Sequence, residues 1–116
     1  MEIRRGVTIG RNVKIEPLVF IPEGVNIEDC VFIGPNVCFT NDFYPKSCKE
    51  DGNLITEYSI IPTFVKKGAS IGAGSVILCG ITIGEEAMIG AGSTVCKDVP
   101  PGMIVRGDKS KIIGRK

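Results

Sequence analysis

The side chains best suited to chemistry lie in a segment between residues 41 and 62 that shows no regular pattern. Its first residues are Asn41, Asp42, Phe43, Tyr44, Pro45 and Lys46. A long segment without repeats in a compact domain is usually functional or disordered. Its aromatic and aliphatic residues favour a loop that packs on a surface, and we therefore expect a functional loop. The alternative is a solvated excursion with a turn at residues 51–53.

The chain contains no histidine. A Ser–His or Cys–His nucleophile is therefore excluded, and so are a histidine general base and a histidine-ligated metal site. Five cysteines are present without a Cys-x-x-Cys pair: Cys30, Cys38, Cys48, Cys79 and Cys96. This spacing does not support a cysteine zinc site, and we expect no metal. We predict reduced thiols that act as small apolar side chains, with Cys48 in the irregular segment as the exception.

Composition indicates one soluble domain. The chain has 116 residues, with 14 Lys and Arg against 13 Asp and Glu, which argues against a general nucleic-acid surface. It has no Trp and two Tyr, so aromatic platforms for bases are not expected. No apolar run approaches the roughly 18 residues of a membrane helix, and Met1 begins no signal-peptide pattern. We expect a cytoplasmic protein with neither nucleic acid nor a membrane as partner.

The irregular segment interrupts a repeat of six residues. In the first block, the apolar residues six apart are Ile3, Ile9, Ile15, Ile21, Ile27, Ile33 and Phe39. In the second block they are Val65, Ile71, Ile77, Ile83, Ile89 and Val95. A period of six fits neither an α-helix, with about 3.6 residues per turn, nor a strand with alternating sides.

A strand and turn of six residues cannot bury its own aliphatic side chain, so successive units must coil and stack. Three units would make one turn of a triangular coil. The sequence therefore predicts an all-β parallel solenoid with an aliphatic interior. We expect a single domain, 1–116, with coils at 3–40 and 65–100, a loop at 41–64, and a C-terminal strand and basic tail at 101–116.

Several stretches of the chain resemble a known family. They include Phe39-Thr40-Asn41-Asp42 with Tyr44-Pro45-Lys46, Cys79-Gly80-Ile81-Thr82-Ile83-Gly84 and Lys97-Asp98-Val99-Pro100. The chain is similar to hexapeptide-repeat acyltransferases, and among them to sugar-nucleotide 3-amino N-acetyltransferases, such as the enzymes that acetylate UDP-2-acetamido-3-amino-2,3-dideoxyglucuronate. The resemblance implies a left-handed parallel β-helix, acetyl-CoA as co-substrate and an amino sugar or sugar nucleotide as acceptor. It also implies a homotrimer with the active site between subunits.

The resemblance further implies roles for the loop. The side-chain amide of Asn41 would hydrogen-bond the substrate amine and aim it, and Phe43, Tyr44 and Lys46 would contact the substrate. The departing CoA thiolate would take up the proton, with Asp42 as the alternative base. A free amine is already a nucleophile, so such an enzyme needs no histidine. Holding amine and thioester together can contribute roughly 7–11 kcal/mol.

For acetyl-CoA, the resemblance implies a groove between neighbouring solenoids. The small residues Gly80, Ala91 and Gly92 would let the pantetheine arm approach the backbone. Four cations would neutralise its phosphates: Lys97, Arg106, Lys109 and Lys111. The alternative role of the small residues is coil packing, and the alternative for the basic tail is a solvated terminus.

The chain departs from this family at three places that concern the substrates. Relatives carry further coils before the first one here, a Gln-Asn-Asn in place of Glu16-Pro17-Leu18, and a Gly-x-Pro-Ala in place of Gly107-Asp108-Lys109-Ser110. Two alternative functions therefore stay open. One is an acetyltransferase for another small amine or a sugar hydroxyl, although the missing histidine weighs against a hydroxyl. The other is a non-catalytic structural or binding solenoid.

Overall fold

A computed structural model describes residues 1–57, 59–107 and 111–115, without the Lys111 side chain. In these residues the regular elements are fifteen strands, most of them two residues long. They wind into an elongated body of 50 × 29 × 21 Å. No helix that could span a membrane is found in this part of the chain.

The strands form three sheets, one along each face of a prism. Sheet 1 contains β1 (Glu2–Ile3), β4 (Phe20–Ile21), β7 (Cys38–Phe39), β10 (Val76–Ile77) and β13 (Thr94–Val95). Sheet 2 contains β2 (Thr8–Ile9), β5 (Val25–Ile27), β8 (Thr63–Val65) and β11 (Thr82–Ile83). Sheet 3 contains β3 (Lys14–Ile15), β6 (Phe32–Ile33), β9 (Ser70–Ile71), β12 (Met88–Ile89), β14 (Met103–Arg106) and β15 (Lys111–Arg115).

Parallel pairing places each repeat on its equivalent in the next coil. Ile3 pairs with Ile21, the aliphatic residue that opens the third repeat unit after its own. Across the irregular segment, Ile27 pairs with Val65, so the inserted residues are left out of the pairing between coils. The predicted all-β solenoid of three-unit coils with one inserted loop is confirmed, and the loop leaves the register of the later coils unchanged.

The interior of the prism is a stack of aliphatic side chains. The fully buried side chains with the largest volume are the aromatic Phe39 and the aliphatic Ile21, Ile33, Ile71, Ile77, Ile83 and Ile89. Each contributes roughly 1.5–3 kcal/mol by leaving water. Burial is incomplete in the first coil, where Ile3 and Ile9 are each 40% exposed. Full burial of a coil therefore requires cover on both of its sides along the axis.

The corners between sheets are formed at the fourth residue of the six-residue units, other than the units that begin at Phe39 and Val95. There φ is positive, from 56° at Asn12 to 97° at Gly24. Glycine adopts this conformation freely and asparagine at small cost. Leu18, Cys30 and Glu86 adopt it as well, at roughly 1–2 kcal/mol each. The stacked strands on either side therefore determine the corner even where the residue disfavours it.

The glycine that directly follows the aliphatic residue has a different role. A Cβ built on Gly72 would lie 2.5 Å from the backbone nitrogen of Ala91, and one built on Gly84 would lie 2.5 Å from that of Pro101. Real Cβ atoms essentially never come within 3.0 Å of such an atom. Glycine at this position therefore lets successive coils lie directly against each other.

The structure differs from the prediction at two boundaries. β8 begins at Thr63, before the predicted end of the loop at residue 64, because Thr63 already pairs with Val25 and is buried. The predicted basic tail is partly a strand, since β15 pairs antiparallel with β14 and covers an edge that would otherwise be unpaired. Ile112 and Ile113 on β15 stay exposed.

The five cysteines are free but do not share one environment. Cys79 is buried, as predicted for a small apolar side chain, and Cys38 and Cys48 are half-buried. The prediction is wrong for Cys30 and Cys96, which are exposed. Cys30 occupies a corner, and Cys96 follows an inward-facing residue in an extended segment where side chains alternate.

The loop leaves the prism at the edge between sheets 1 and 2 and packs on the two neighbouring corners of that edge. Phe43 and Ile61 contact Gly80, where an added Cβ would lie 2.9 Å from the Phe43 Cζ. Ile60 contacts Gly24, where an added Cβ would lie 2.6 Å from the Ile60 Cγ2. A larger residue at either corner would push the loop outward.

Hydrogen bonds stabilise the loop at its base and at its tip. At the base, the Ile61 N–H donates to the Asn41 carbonyl oxygen at 3.1 Å. At the tip, the Asn53 N–H donates to the Asp51 Oδ1 at 2.9 Å. The expected packing therefore holds for the base of the loop, whereas its tip has the turn at 51–53 that belonged to the alternative, a solvated excursion.

The packing of Phe43 on Gly80 predicts the effect of Gly80→Ala. The matched control is Gly92→Ala, because both glycines have similar φ, 81° and 71°, but nothing lies within 4 Å of a Cβ on Gly92. We expect both variants to lose roughly 1–2 kcal/mol of unfolding free energy. Only Gly80→Ala should speed cleavage of the loop in limited proteolysis. Equal cleavage of the two variants would contradict the packing.

A second prediction concerns Thr63, which occupies a buried position equivalent to Val25 in the preceding coil. Its hydroxyl is buried and has no hydrogen-bond partner in the described part of the chain. Thr63→Val should therefore raise the unfolding free energy by about 1 kcal/mol, measured by urea denaturation. Thr82→Val, on the outward side of β11, should change it by less than about 0.5 kcal/mol. A destabilised Thr63→Val variant would contradict this.

Candidate active site

Asn41 is the first residue of the loop, and its side chain has a defined orientation. The Nδ2 atom donates to the backbone carbonyl oxygen of Glu23, one coil away, at 3.1 Å. This bond identifies which end of the amide carries the nitrogen. The Oδ1 atom has no hydrogen-bond partner among the described residues. Asn41 can therefore accept a hydrogen bond from a ligand without losing the one that holds it.

A cleft of about 390 Å³ opens beside Asn41 along the edge between sheets 1 and 2. Its lining comes from three successive coils: Arg4, Arg5, Phe20, Pro22, Glu23, Asn41 and Ile60. Four of these seven residues are polar or charged, and converging polar groups fix the orientation of a small molecule in its site. The structure therefore places the predicted residue Asn41 in the wall of a cleft.

The other loop residues predicted for the site, Asp42, Phe43, Tyr44 and Lys46, do not line this cleft. The Tyr44 N–H donates to the Asp42 Oδ1 at 2.9 Å, so one oxygen of Asp42 is used in a local turn. Asp42 does not line the cleft of Asn41. The rings of Phe43 and Tyr44 lie 6.4 Å apart, and Tyr44 is 86% exposed. Lys46 is also exposed. Of these residues, Phe43 has the clearest structural role, on Gly80.

The residues predicted to bind acetyl-CoA are divided between two edges. Ala91 and Gly92 are exposed at the edge between sheets 3 and 1. Arg106 lies at the same edge, because a Cβ built on Gly90 would come within 2.9 Å of the Arg106 Cβ. Lys111 is paired with Arg106 through the strand register. Lys109 lies outside the described residues.

Gly80 and Lys97 lie instead at the edge between sheets 1 and 2, on the same side as Asn41. Gly80 is covered by Phe43 and Ile61. Each side of a coil spans six residues, so the two edges are up to roughly 20 Å apart at about 3.3 Å per residue. One chain therefore does not bring the loop together with Ala91, Gly92 and Arg106.

Three charged groups of the cleft were not predicted from the sequence: Arg4, Arg5 and Glu23. A signal for two of them was present in the sequence. Arg5, Glu23 and Asn41 follow each other at intervals of three repeat units, the length of one coil. They therefore occupy equivalent corners of successive coils. Counting in coils rather than in units of six would have put the three side chains on one edge.

Metal ligands are not grouped in this structure. Among residues 1–57, 59–107 and 111–115, no three His, Cys, Asp or Glu side chains come close enough to hold an ion. The groups that line the cleft are instead an amide, two guanidinium groups and a carboxylate. These groups bind and orient a polar organic ligand by hydrogen bonds and charge.

Known proteins similar to this chain are acetyltransferases. The chain is similar to dTDP-3-amino-3,6-dideoxy-alpha-D-galactopyranose 3-N-acetyltransferase from Aneurinibacillus thermoaerophilus, with 56% identity over 52 residues. This match covers 45% of this chain and 27% of that protein. It is 31% identical over 130 aligned positions to galactoside O-acetyltransferase from Escherichia coli strain K12, which covers 91% of this chain and 62% of that protein.

A solved structure agrees over nearly the whole chain. It is a hexapeptide-repeat acetyltransferase from Vibrio cholerae O1 biovar eltor complexed with acetyl coenzyme A. The TM-score is 0.76 and the identity 26%, and the match covers 96% of this chain and 61% of that one. The fold of this chain is the left-handed parallel β-helix. The chain spans between 27% and 62% of the length of these three proteins.

The repeats themselves match a family description, bacterial transferase hexapeptide (six repeats). The matched residues are 6–41 and 62–97, which lie on either side of the inserted loop and make up more than half of the 116 residues. The chain therefore belongs to the bacterial transferase hexapeptide family.

Proposed function

We propose that this chain transfers the acetyl group of acetyl-CoA to the amino group of an amino sugar, with a nucleotide-linked sugar as the acceptor. One observation carries the proposal: Asn41 lines a cleft with its Nδ2 held by the Glu23 carbonyl and its Oδ1 left to accept. Membership of the family supports the reaction class. The relative from Aneurinibacillus thermoaerophilus supports a sugar nucleotide with a 3-amino group.

Asn41 suits an amine that must attack a thioester. Its Oδ1 accepts one N–H of the amine, which leaves the lone pair of the amine free for the carbonyl carbon. Because Nδ2 is held by Glu23, rotation of the amide to present a donor would break an existing hydrogen bond. Asn41 is therefore a positioning group for the acceptor, and positioning is the main requirement of a reaction between an amine and a thioester.

The reaction forms a C–N bond, breaks a C–S bond and removes one proton from the amine. Acetyl-CoA supplies the acetyl group as an activated thioester. The proton passes to the sulfur of the departing CoA, as the family resemblance implies, so the chain needs no imidazole. Asp42 is a weaker alternative base than the sequence suggested, because its Oδ1 accepts the Tyr44 N–H and it does not line the cleft.

The division of groups between two edges supports a homotrimer with each active site between two copies. In such a ring, the loop edge of one copy faces the edge between sheets 3 and 1 of the next. Ala91 and Gly92 present little side chain there, so a pantetheine arm can approach the backbone. Arg106 at the same edge would meet a phosphate of CoA. The complex of the Vibrio cholerae relative supports acetyl-CoA as the donor.

The similarity to galactoside O-acetyltransferase favours a second candidate acceptor, a sugar hydroxyl. A hydroxyl has to lose its proton to a base as it attacks, and histidine usually fills that role. This chain has none. An amine therefore remains the better acceptor, and a thiol-release assay over amino sugars, amino sugar nucleotides and galactosides separates the two candidates.

The role of Asn41 predicts the effect of Asn41→Ala on acetyl transfer. Loss of the aimed Oδ1 should lower kcat/KM for the amino sugar acceptor about a hundredfold, because small errors in position can cost that much. The measurement is release of free CoA thiol with the preferred amine from the panel. The matched control is Asn53→Ala, which removes an Asn from the tip of the same loop.

Full activity of Asn41→Ala would remove the proposed role of this residue. The non-catalytic alternative is tested without an acceptor, by thermal unfolding with CoA or acetyl-CoA. A ligand at about 100 times its Kd stabilises a protein by roughly 2.7 kcal/mol. No stabilisation by either compound, together with no thiol release from any acceptor, would favour a structural solenoid.

A further inference from the structure

The cleft of Asn41 ends at two arginines that acetyl transfer itself does not use. Arg4 and Arg5 line it from the first coil, whereas Asn41 lies at the third. The Arg4 Nε is 2.8 Å from the Glu2 Oε2, and both of these side chains are exposed. Arg5 makes no ion pair with the described residues. Binding of the acceptor amine does not account for two guanidinium groups in this cleft.

We propose that Arg4 and Arg5 bind the phosphoryl groups carried on the anomeric carbon of the acceptor. This step rests on the proposed function, because Asn41 defines where the amine lies. It goes beyond that function by naming the residues that would hold the phosphoryl groups, and so the reason why the chain would prefer a nucleoside diphosphate sugar to a free amino sugar.

The spacing along the edge fits such an acceptor. Neighbouring coils are about 4.8 Å apart, so the corner of Arg5 lies roughly 10 Å from that of Asn41, two coils away. In a 3-amino sugar nucleotide, the diphosphate begins about one ring-width from the amino group. With the amine at Asn41, the sugar ring lies beside Glu23 and Phe20, and the diphosphate reaches the arginines. Phe20 is half-buried and offers an apolar surface for the ring.

The charges of the cleft agree with this assignment. Guanidinium groups bind phosphates through paired N–H donors, which is a stronger and more directional contact than a single ammonium makes. Two carboxylates oppose them: Glu2 pairs with Arg4, and Glu23 lines the same cleft with its side chain folded over Gly6. A diphosphate can displace Glu2 from Arg4 at small cost, because that ion pair is exposed to water. Arg5 needs no such exchange.

The test is a binding measurement that does not depend on catalysis. The full chain is titrated calorimetrically with pyrophosphate, UDP and dTDP, and with uridine and thymidine as uncharged controls. UDP or dTDP should bind at least about tenfold more tightly than its nucleoside, and Arg5→Ala and Arg4→Ala should each weaken that binding about tenfold. Arg11→Ala is the matched control, an exposed arginine of the same coil at the next edge. The Arg11→Ala variant should bind UDP and dTDP as tightly as the parent chain does.

The ligands of the titration distinguish which part of the acceptor is recognised. Pyrophosphate that binds as tightly as UDP would show that the phosphoryl groups alone are recognised, and tighter binding of UDP or dTDP would show that the nucleoside contributes as well. Both results support the proposal if they depend on Arg4 and Arg5. Nucleotide binding that is absent, or equal in the Arg4, Arg5 and Arg11 variants, would overturn it.

The same variants separate this proposal from the proposed function. If amino sugars release thiol and the arginine variants keep the KM of the parent chain for a nucleotide-linked acceptor, acetyl transfer stands and the phosphoryl site is refuted. If no amine releases thiol although UDP binding depends on Arg5, the site stands and acetyl transfer is refuted.

Discussion

The inward-facing aliphatic side chains of this prism are buried where equivalent side chains from the neighbouring coils cover them. That packing fixes the coil at three repeat units and allows no slip, since a shift by one residue would turn the aliphatic side chains outward. The corners follow from the same constraint. They take positive φ even at Leu18, Cys30 and Glu86, and coils approach so closely at Gly72 and Gly84 that a Cβ would not fit.

This regularity lets side chains from successive coils line up along an edge of the prism. Residues one coil apart in sequence lie one strand spacing apart in space, so an edge is a column of side chains at fixed intervals. Arg5, Glu23 and Asn41 form such a column. The loop leaves this column in place. Phe43, Ile60 and Ile61 pack on glycine corners, and the coils before and after the loop pair directly with each other. Asn41, at the base of this loop, is therefore held by the coil before it, through its hydrogen bond to Glu23.

The period of six allowed the coil, its aliphatic interior and the place of the insertion to be predicted. It also placed Asn41 at the base of the loop, next to a cleft that the sequence did not reveal. The strand β15 was not predicted, because its pairing with β14 depends on a long-range contact and not on a repeat. The division of the acetyl-CoA residues between two edges was missed for another reason. Gly80 and Gly92 have the same place within their units and the same sign of φ, and only the position of the unit within the coil separates them.

The homotrimer proposed above requires that no single chain holds a complete site. Subunit complementation tests this most directly, with Asn41→Ala altering the loop edge and Ala91→Trp blocking the edge between sheets 3 and 1. Each variant alone should keep no more than about 1% of the parent activity in thiol release. When the two are unfolded, mixed in equal amounts and refolded together, random assembly gives about a quarter of the interfaces both intact edges, so about a quarter of the parent activity should return. Mixed oligomers that stay inactive, while the parent chain regains its activity through the same procedure, would contradict a site shared between neighbouring copies.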